Sequence, residues 1–161
     1  NSRRNLTLIL KQLSQRIKVN SLNPLEMDII ARKKDLESIL ANSYSPYSEF
    51  KVAASIRTDN NEIFTGVNIE NSSYSLTMCA EASAIASMVT QAGTESISDV
   101  VIINDSNRVC PPCGACLQRL IEFSSEKTKV YLATSKSDEI EMHILKDLIP
   151  LQFSKEYLNK S

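Results

Sequence analysis

The spacing of apolar positions changes several times along the chain, and each change marks an element. Leu6, Ile9, Leu10, Leu13 and Ile17 recur at helical spacing among Arg3, Arg4, Lys11, Arg16 and Lys18, with no acidic residue before Glu26. This predicts a basic amphipathic helix, followed by a linker over Asn20 to Pro24. Leu25 to Ala41 predicts a second helix, closed by the turn-rich run Asn42-Ser43-Tyr44-Ser45-Pro46-Tyr47-Ser48. Phe50 to Arg57 and Glu62 to Val67 then predict two strands joined at Asp59-Asn60-Asn61, a hairpin signal. Met78 to Ala92 predicts a helix ending at Gly93, and Val100 to Ile103 a short strand of the fully buried kind. Pro112 to Phe123 predicts a further helix, Lys129 to Ala133 a strand, and Met142 to Leu148 a last helix.

Strands alternating with helices after an opening hairpin predict an α/β fold, a three-layer αβα sandwich around a mixed sheet of about five strands. The chain has 161 residues, the size of one domain with a well-buried core. Residues 1–24 are expected to form the basic helix and its linker, and residues 25–161 the domain itself. The basic helix is either an added element packed on the domain or a targeting or membrane-surface segment.

Composition narrows the classes of function. Hydrophobic residues make up 42% of the chain and the net charge is −1. No apolar run approaches the length of a membrane span. The near-balance of acids and bases leaves no whole-domain positive field to attract a phosphate backbone, so a nucleic-acid polymer is not the expected partner. There are four cysteines, spaced for metal ligation rather than as a disulfide framework, and a reducing, cytoplasmic setting is expected.

Three of those cysteines fall in Cys110-Pro111-Pro112-Cys113-Gly114-Ala115-Cys116. Cys113 and Cys116 lie three apart at the start of a predicted helix, so both sulfurs can project from one face. Cys79, at the start of another helix, is the natural third ligand. Helix N-termini favour thiolate over thiol, and three protein ligands with an open fourth position describe a catalytic Zn²⁺ site. The only histidine, His143, sits far along the chain, so acid–base work falls by elimination on Glu81. Glu81 lies two residues beyond Cys79, and helical residues two apart do not share a face. The pair can serve one site only if Cys79 stands at or before the helix cap. Two other arrangements use the same cysteines: a closed structural zinc site with Cys110 as fourth ligand, and an iron–sulfur cluster. The second lacks the expected fourth Cys-Pro, and Pro111-Pro112 keeps Cys110 extended and off the face that carries the other two.

Cys79-Ala80-Glu81 followed by Pro112-Cys113-Gly114-Ala115-Cys116 resembles the zinc signature of the cytidine deaminase family in its three-cysteine form. Tyr44-Ser45-Pro46-Tyr47-Ser48-x-Phe50, Gly66-Val67-Asn68-Ile69-Glu70-Asn71 and Ser73-Tyr74 are similar to its substrate-side segments, in the same order, over roughly residues 37 to 153. The resemblance implies a Zn²⁺ cofactor held by Cys79, Cys113 and Cys116, with Glu81 moving protons during attack of water on C4 of cytosine. It implies that Asn68 and Glu70 hold the ribose hydroxyls, that Phe50 and Val52 line the base pocket and that Ala80 contacts substrate. It also implies a homo-oligomer, tetrameric or dimeric, in which Tyr74 lies at a subunit boundary and Phe153 reaches an adjacent site. Cytidine or deoxycytidine is then the expected substrate.

The family has arginine after the catalytic glutamate and after the last cysteine, where this chain has Ala82 and Leu117. Arg119 is the nearest residue that can replace their charge. Three further functions fit the same residues: a deaminase for another cytosine nucleoside such as blasticidin S, a zinc-stabilised nucleoside-binding relative that has lost the reaction, and polynucleotide editing.

Overall fold

The computed structural model describes residues 15–16 and 23–158. Among these, helix α1 spans Pro24–Ile39, α2 Ala80–Ala92, α3 Gly114–Glu122 and the single-turn α4 Leu145–Leu148. The strands are β1 (Gln15–Arg16), β2 (Val52–Thr58), β3 (Ile63–Val67), β4 (Ile97–Asn104), β5 (Ser124–Thr134) and β6 (Ile140–Ile144). They form one mixed sheet in the order β1-β6-β5-β4-β2-β3, in which only the β4–β5 pair is parallel. The four strands located from the sequence are present as β2 to β5, and β6 makes the fifth of the expected sheet of about five, with the two-residue β1 added at its edge.

Period-two alternation divides the sheet between two cores. Ala53, Val101, Ile103, Tyr131 and Ala133 face α1 through its Ile29 and Leu36. Ala54, Ile56, Val100, Ile102, Val130 and Leu132 face the opposite layer with Ala84, Met88 and Leu120. This is the three-layer arrangement expected from the sequence. A capping box starts α1, with Asn23 and Glu26 bonding each other's backbone N–H and Pro24 in the first turn. The hairpin closes as expected, with Asn61 in the left-handed region at φ 64° and its N–H bonded to the Thr58 carbonyl at 3.0 Å.

Two predicted elements differ. Met142 to Leu148 is not one helix: residues up to Ile144 belong to β6, which pairs with β5 from Ile140↔Ala133 to Ile144↔Lys129. Ile140, Met142 and Ile144 alternate at period two, while Ile144, Leu145 and Leu148 also satisfy helical spacing, and the exposed edge of β5 decides between them. His143 therefore stands on a strand. In the N-terminal segment, Gln15 and Arg16 are extended and pair with Met142 and Glu141, where the apolar spacing predicts helix. The remainder of that predicted helix lies outside the described residues. β5 also begins earlier than expected, because Ser124 pairs with Ile97 and strand pairing overrides its polar composition.

The topology places the chemistry. β3 and β4 are each antiparallel to β2, so their carboxyl ends lie at the same end of the sheet. α2 follows β3 and α3 follows β4, and both helices therefore begin there. The two cysteine segments, distant in sequence, meet at the carboxyl ends of strands, where open α/β sheets place their ligands.

Candidate active site

Cys79 is the N-cap of α2 (φ −72°, ψ 159°) and Cys113 the N-cap of α3 (φ −69°, ψ 164°), both extended, and neither cap side chain bonds the helix backbone. That conformation turns each sulfur across its helix mouth and leaves first-turn N–H groups directed at the same space. Cys116, one turn into α3, is buried. The Cys79, Cys113 and Cys116 sulfurs lie within 4.8 Å of one another, and Cys113 Sγ is 3.6 Å from Cys116 Sγ. Among the described residues no fourth Cys, His, Asp or Glu joins this group.

The electrostatics of the trio fit a dication. A hydrogen bond from the Cys116 thiol, aided by Cys113 and by the charge of Arg119, lowers Cys79 to about 6, against opposition from burial and Glu81. Cys116 moves far upward because it keeps its proton for Cys79, and because burial and Glu81 both resist its ionisation. Cys79 thus accepts a negative charge, and Cys116 resists a second one beside it. A bound dication removes that resistance, and three soft sulfur donors gathered this closely suit Zn²⁺.

Glu81 lies in the first turn of α2 and is 4% exposed. Its position beside a capping Cys79 is the arrangement that the two-residue spacing required. The cysteines and Glu81 line a cavity of about 290 Å³, together with Phe50, Val52, Asn68, Glu70 and Ala80. Every substrate-side residue singled out from the sequence is therefore at this cavity except Tyr74 and Phe153. Those two are 75% and 56% exposed, and contact Tyr47 edge-on at 5.7 Å and Tyr157 by stacking at 5.8 Å, respectively.

The sugar-side pair is held in different ways. Asn68 is almost buried: its Oδ1 accepts from Val52 N at 2.9 Å and from Ser43 Oγ, while its Nδ2 donates to the Phe50 carbonyl at 2.9 Å. One amide hydrogen remains for a ligand. Glu70 accepts from Tyr47 N at 2.9 Å, from Ser48 N at 3.2 Å and from the Ser48 hydroxyl. The Ser48 hydroxyl foremost, then the Tyr47 N–H, holds its carboxyl below the ordinary value.

Ser48, Thr77, Ile102, Asn104, Cys110, Pro111 and Pro112 also line the cavity and were not singled out from the sequence as site residues. Ile102 and Asn104 lie at the carboxyl end of β4, where the topological rule for ligands would have pointed. Cys110 stands in the cavity wall outside the sulfur trio, with its thiol 3.6 Å from the Pro111 carbonyl. Burial first, then the charges of Glu81 and Cys113, pushes that thiol upward. The closed four-cysteine site is therefore not formed. His143 lies apart from the cavity, 3.5 Å from Glu141.

Packing sets how α2 meets β3. A Cβ on Gly66 would meet Ala84 N at 2.4 Å, Ala80 O at 2.6 Å and Ser83 Cβ at 2.7 Å, so glycine permits contact of backbone with helix. Ser83 Oγ then bonds the Val67 carbonyl at 2.9 Å. Leu117, directly after Cys116, is 8% exposed within the core.

The fold and the sulfur trio define an α/β protein whose three-cysteine group, of the kind that holds zinc, opens on a cavity of small-molecule size. The model of the cytidine and deoxycytidylate deaminase zinc-binding region matches residues 34–133, and the chain belongs to that family. Its relatives include a cytidine deaminase of Mycoplasma genitalium, 48% identical over 104 residues, 65% of this chain and 79% of the relative. Another is that of Sporosarcina psychrophila, 39% identical over 132 residues, 78% and 96% of the two chains. Blasticidin-S deaminase of Bacillus cereus is more distant, at 29% identity over 65% of this chain and 77% of its own length. Among solved structures, cytidine deaminase from Burkholderia pseudomallei superposes with a TM-score of 0.69 at 32% identity, covering 74% of this chain and 94% of that one. No helix among the described residues is long and apolar enough to cross a membrane.

Proposed function

We propose that this chain catalyses hydrolytic deamination of cytidine and deoxycytidine, giving uridine or deoxyuridine and ammonia. The observation that carries this reading is the trio of sulfurs within 4.8 Å of one another, sharing one cavity with the buried Glu81. Cys79, Cys113 and Cys116 hold the metal. When bound, Zn²⁺ supplies a Lewis-acid centre that makes water nucleophilic near neutral pH.

Glu81 takes the proton of the attacking water, delivers it to ring N3, and assists departure of the C4 amine as ammonia. Its first-turn position faces the same cavity as the sulfurs, so the proton travels a short path. Phe50 and Val52 form the base wall, with Ala80 beside them at the mouth of α2. Asn68 donates its remaining amide hydrogen, and Glu70 accepts, so the two match a hydroxyl that accepts from one and donates to the other. Their contribution is positioning: they hold C4 against the metal side of the cavity.

Residues 25–161 form the catalytic unit, to which residues 1–24 are appended. The exposed Tyr74 and Phe153 serve a homo-oligomer, tetrameric or dimeric, in which Phe153 of one copy approaches the cavity of another. The cytoplasm is the expected setting.

The test is a spectroscopic assay of the zinc-loaded chain with cytidine, deoxycytidine and blasticidin S, beside Glu81→Ala. Expected are ammonia release from the two nucleosides and a fall in kcat of about 10²- to 10⁴-fold in the variant with zinc content unchanged. Nucleoside binding without ammonia release would identify a non-catalytic binding protein, and preference for blasticidin S would move the substrate class.

A further inference from the structure

The Ser48 hydroxyl is fixed at both ends. It accepts from Phe50 N–H at 3.1 Å and donates to Glu70 Oε1, so its proton has one direction available. Its own backbone N–H and that of Tyr47 bond the other oxygen of the same carboxylate. Glu49, between Ser48 and Phe50, is a non-glycine residue in the left-handed region at φ 56°, with its N–H on the Ser45 carbonyl at 3.0 Å. Such a conformation persists only where its surroundings impose it, and it occurs preferentially at ligand clamps. Here it bends the chain so that Ser48 meets the sugar-side carboxylate while Phe50, two residues on, meets the cavity wall.

We infer that Ser48 is a positioning residue for sugar recognition: it sets the Glu70 carboxylate in one orientation and couples it to the Phe50 wall, so that discrimination among nucleosides by their sugar hydroxyls depends on Ser48. The inference rests on the reading that Glu70 meets the sugar. Ser48 does not touch the reacting atoms. Together with the Tyr47 N–H it fills both lone pairs of Glu70 Oε2 and one of Oε1, leaving the other Oε1 lone pair to accept from a ligand hydroxyl. A carboxylate free to rotate would have to be ordered at each binding event, which weakens binding without altering the chemical step.

The test uses the zinc-loaded full chain and two substrates, cytidine and 2′,3′-dideoxycytidine, the second lacking the hydroxyls that Glu70 would meet. In Ser48→Ala the KM for cytidine is expected to rise about tenfold, the scale of one lost hydrogen bond to a charged group, with kcat changing less than about twofold. The preference for cytidine over the dideoxy substrate falls by a similar factor. Glu70→Gln reproduces that fall, and the double variant adds nothing to it, because both changes remove one coupled unit. Ser48→Cys keeps the shape with a weaker donor and is expected between wild type and Ser48→Ala, so it carries the test if Ser48→Ala fails to fold. Equal losses on both substrates, or additive effects in the double variant, would overturn the inference. If Glu70→Gln lowers the preference and neither Ser48 variant does, the inference alone fails. If Glu70→Gln leaves the preference unchanged, the reading of Glu70 fails and takes the inference with it.

Discussion

Gly66 on β3 lies so close to Ala80 on α2 that a Cβ at position 66 would stand 2.6 Å from the Ala80 carbonyl oxygen. The two nearest neighbours, Ala84 N and Ala80 O, are backbone atoms, which cannot turn aside as a flexible side chain can. This contact joins the strand leading into Asn68 and Glu70 to the helix that carries Cys79 and Glu81, and so sets the spacing between the sugar-side residues and the metal side.

Gly66→Ala is therefore expected to push α2 from the sheet. Overpacking of this kind costs about 1–3 kcal/mol. Thermal unfolding should show the loss, and kcat/KM of the folded fraction should fall by more than in Ser83→Ala, which removes only the hydroxyl bonds to the Val67 and Cys79 carbonyls.

Metal content separates the four cysteines. Cys79→Ser and Cys113→Ser are expected to lose most of the bound zinc, while Cys110→Ser retains it, because the Cys110 sulfur stands outside the trio. Chelation should lower the melting temperature, since the trio binds metal only when both helix mouths are in place. Loss of zinc from Cys110→Ser would overturn the ligand assignment.

Ala82 and Leu117, the residues that follow Glu81 and Cys116, are not equivalent. Leu117 belongs to the core, and Leu117→Arg buries an unpaired charge at a cost of about 3 kcal/mol or more. Ala82, by contrast, is only partly buried. Ala82→Arg is expected to leave stability within about 0.5 kcal/mol and to move the acid limb of the kcat profile to lower pH, because a nearby cation favours ionised groups. Denaturant unfolding and pH–rate profiles check both, and an unchanged Ala82→Arg profile would remove the charge argument.

Glu70 has its carboxyl lowered from the ordinary 4.5, chiefly by the Ser48 hydroxyl and then by the Tyr47 N–H. A group whose value falls on folding contributes fully above its unfolded value and loses that contribution as pH drops through the folded one. The carboxyl carbon resonance of Glu70 should therefore titrate with a midpoint below 4.5 in the wild type. Ser48→Ala is expected to move the midpoint upward. A midpoint that does not respond to Ser48→Ala would show that the hydroxyl does not hold the carboxylate.

Local chemistry along the chain carried the metal trio. Cys113 and Cys116 lie one turn apart, and the pairing of Cys79 with Glu81 demanded a capping cysteine, which α2 provides. The hairpin turn at Asn61 and the end of α2 at Gly93 were equally local, because positive φ and the loss of helical hydrogen bonding are settled within a few residues. Tertiary structure decided the rest. Residues 140–144 satisfy two periods, and only the open edge of β5 made them a strand. The meeting of Cys79 with Cys113 and Cys116 followed from β3 and β4 ending at the same end of the sheet. The roles of Gly66 and Ser48 depend on contacts with residues 14 to 22 positions away, and a pattern of neighbours along the chain does not encode which distant atoms will press against a missing Cβ or accept one hydroxyl proton.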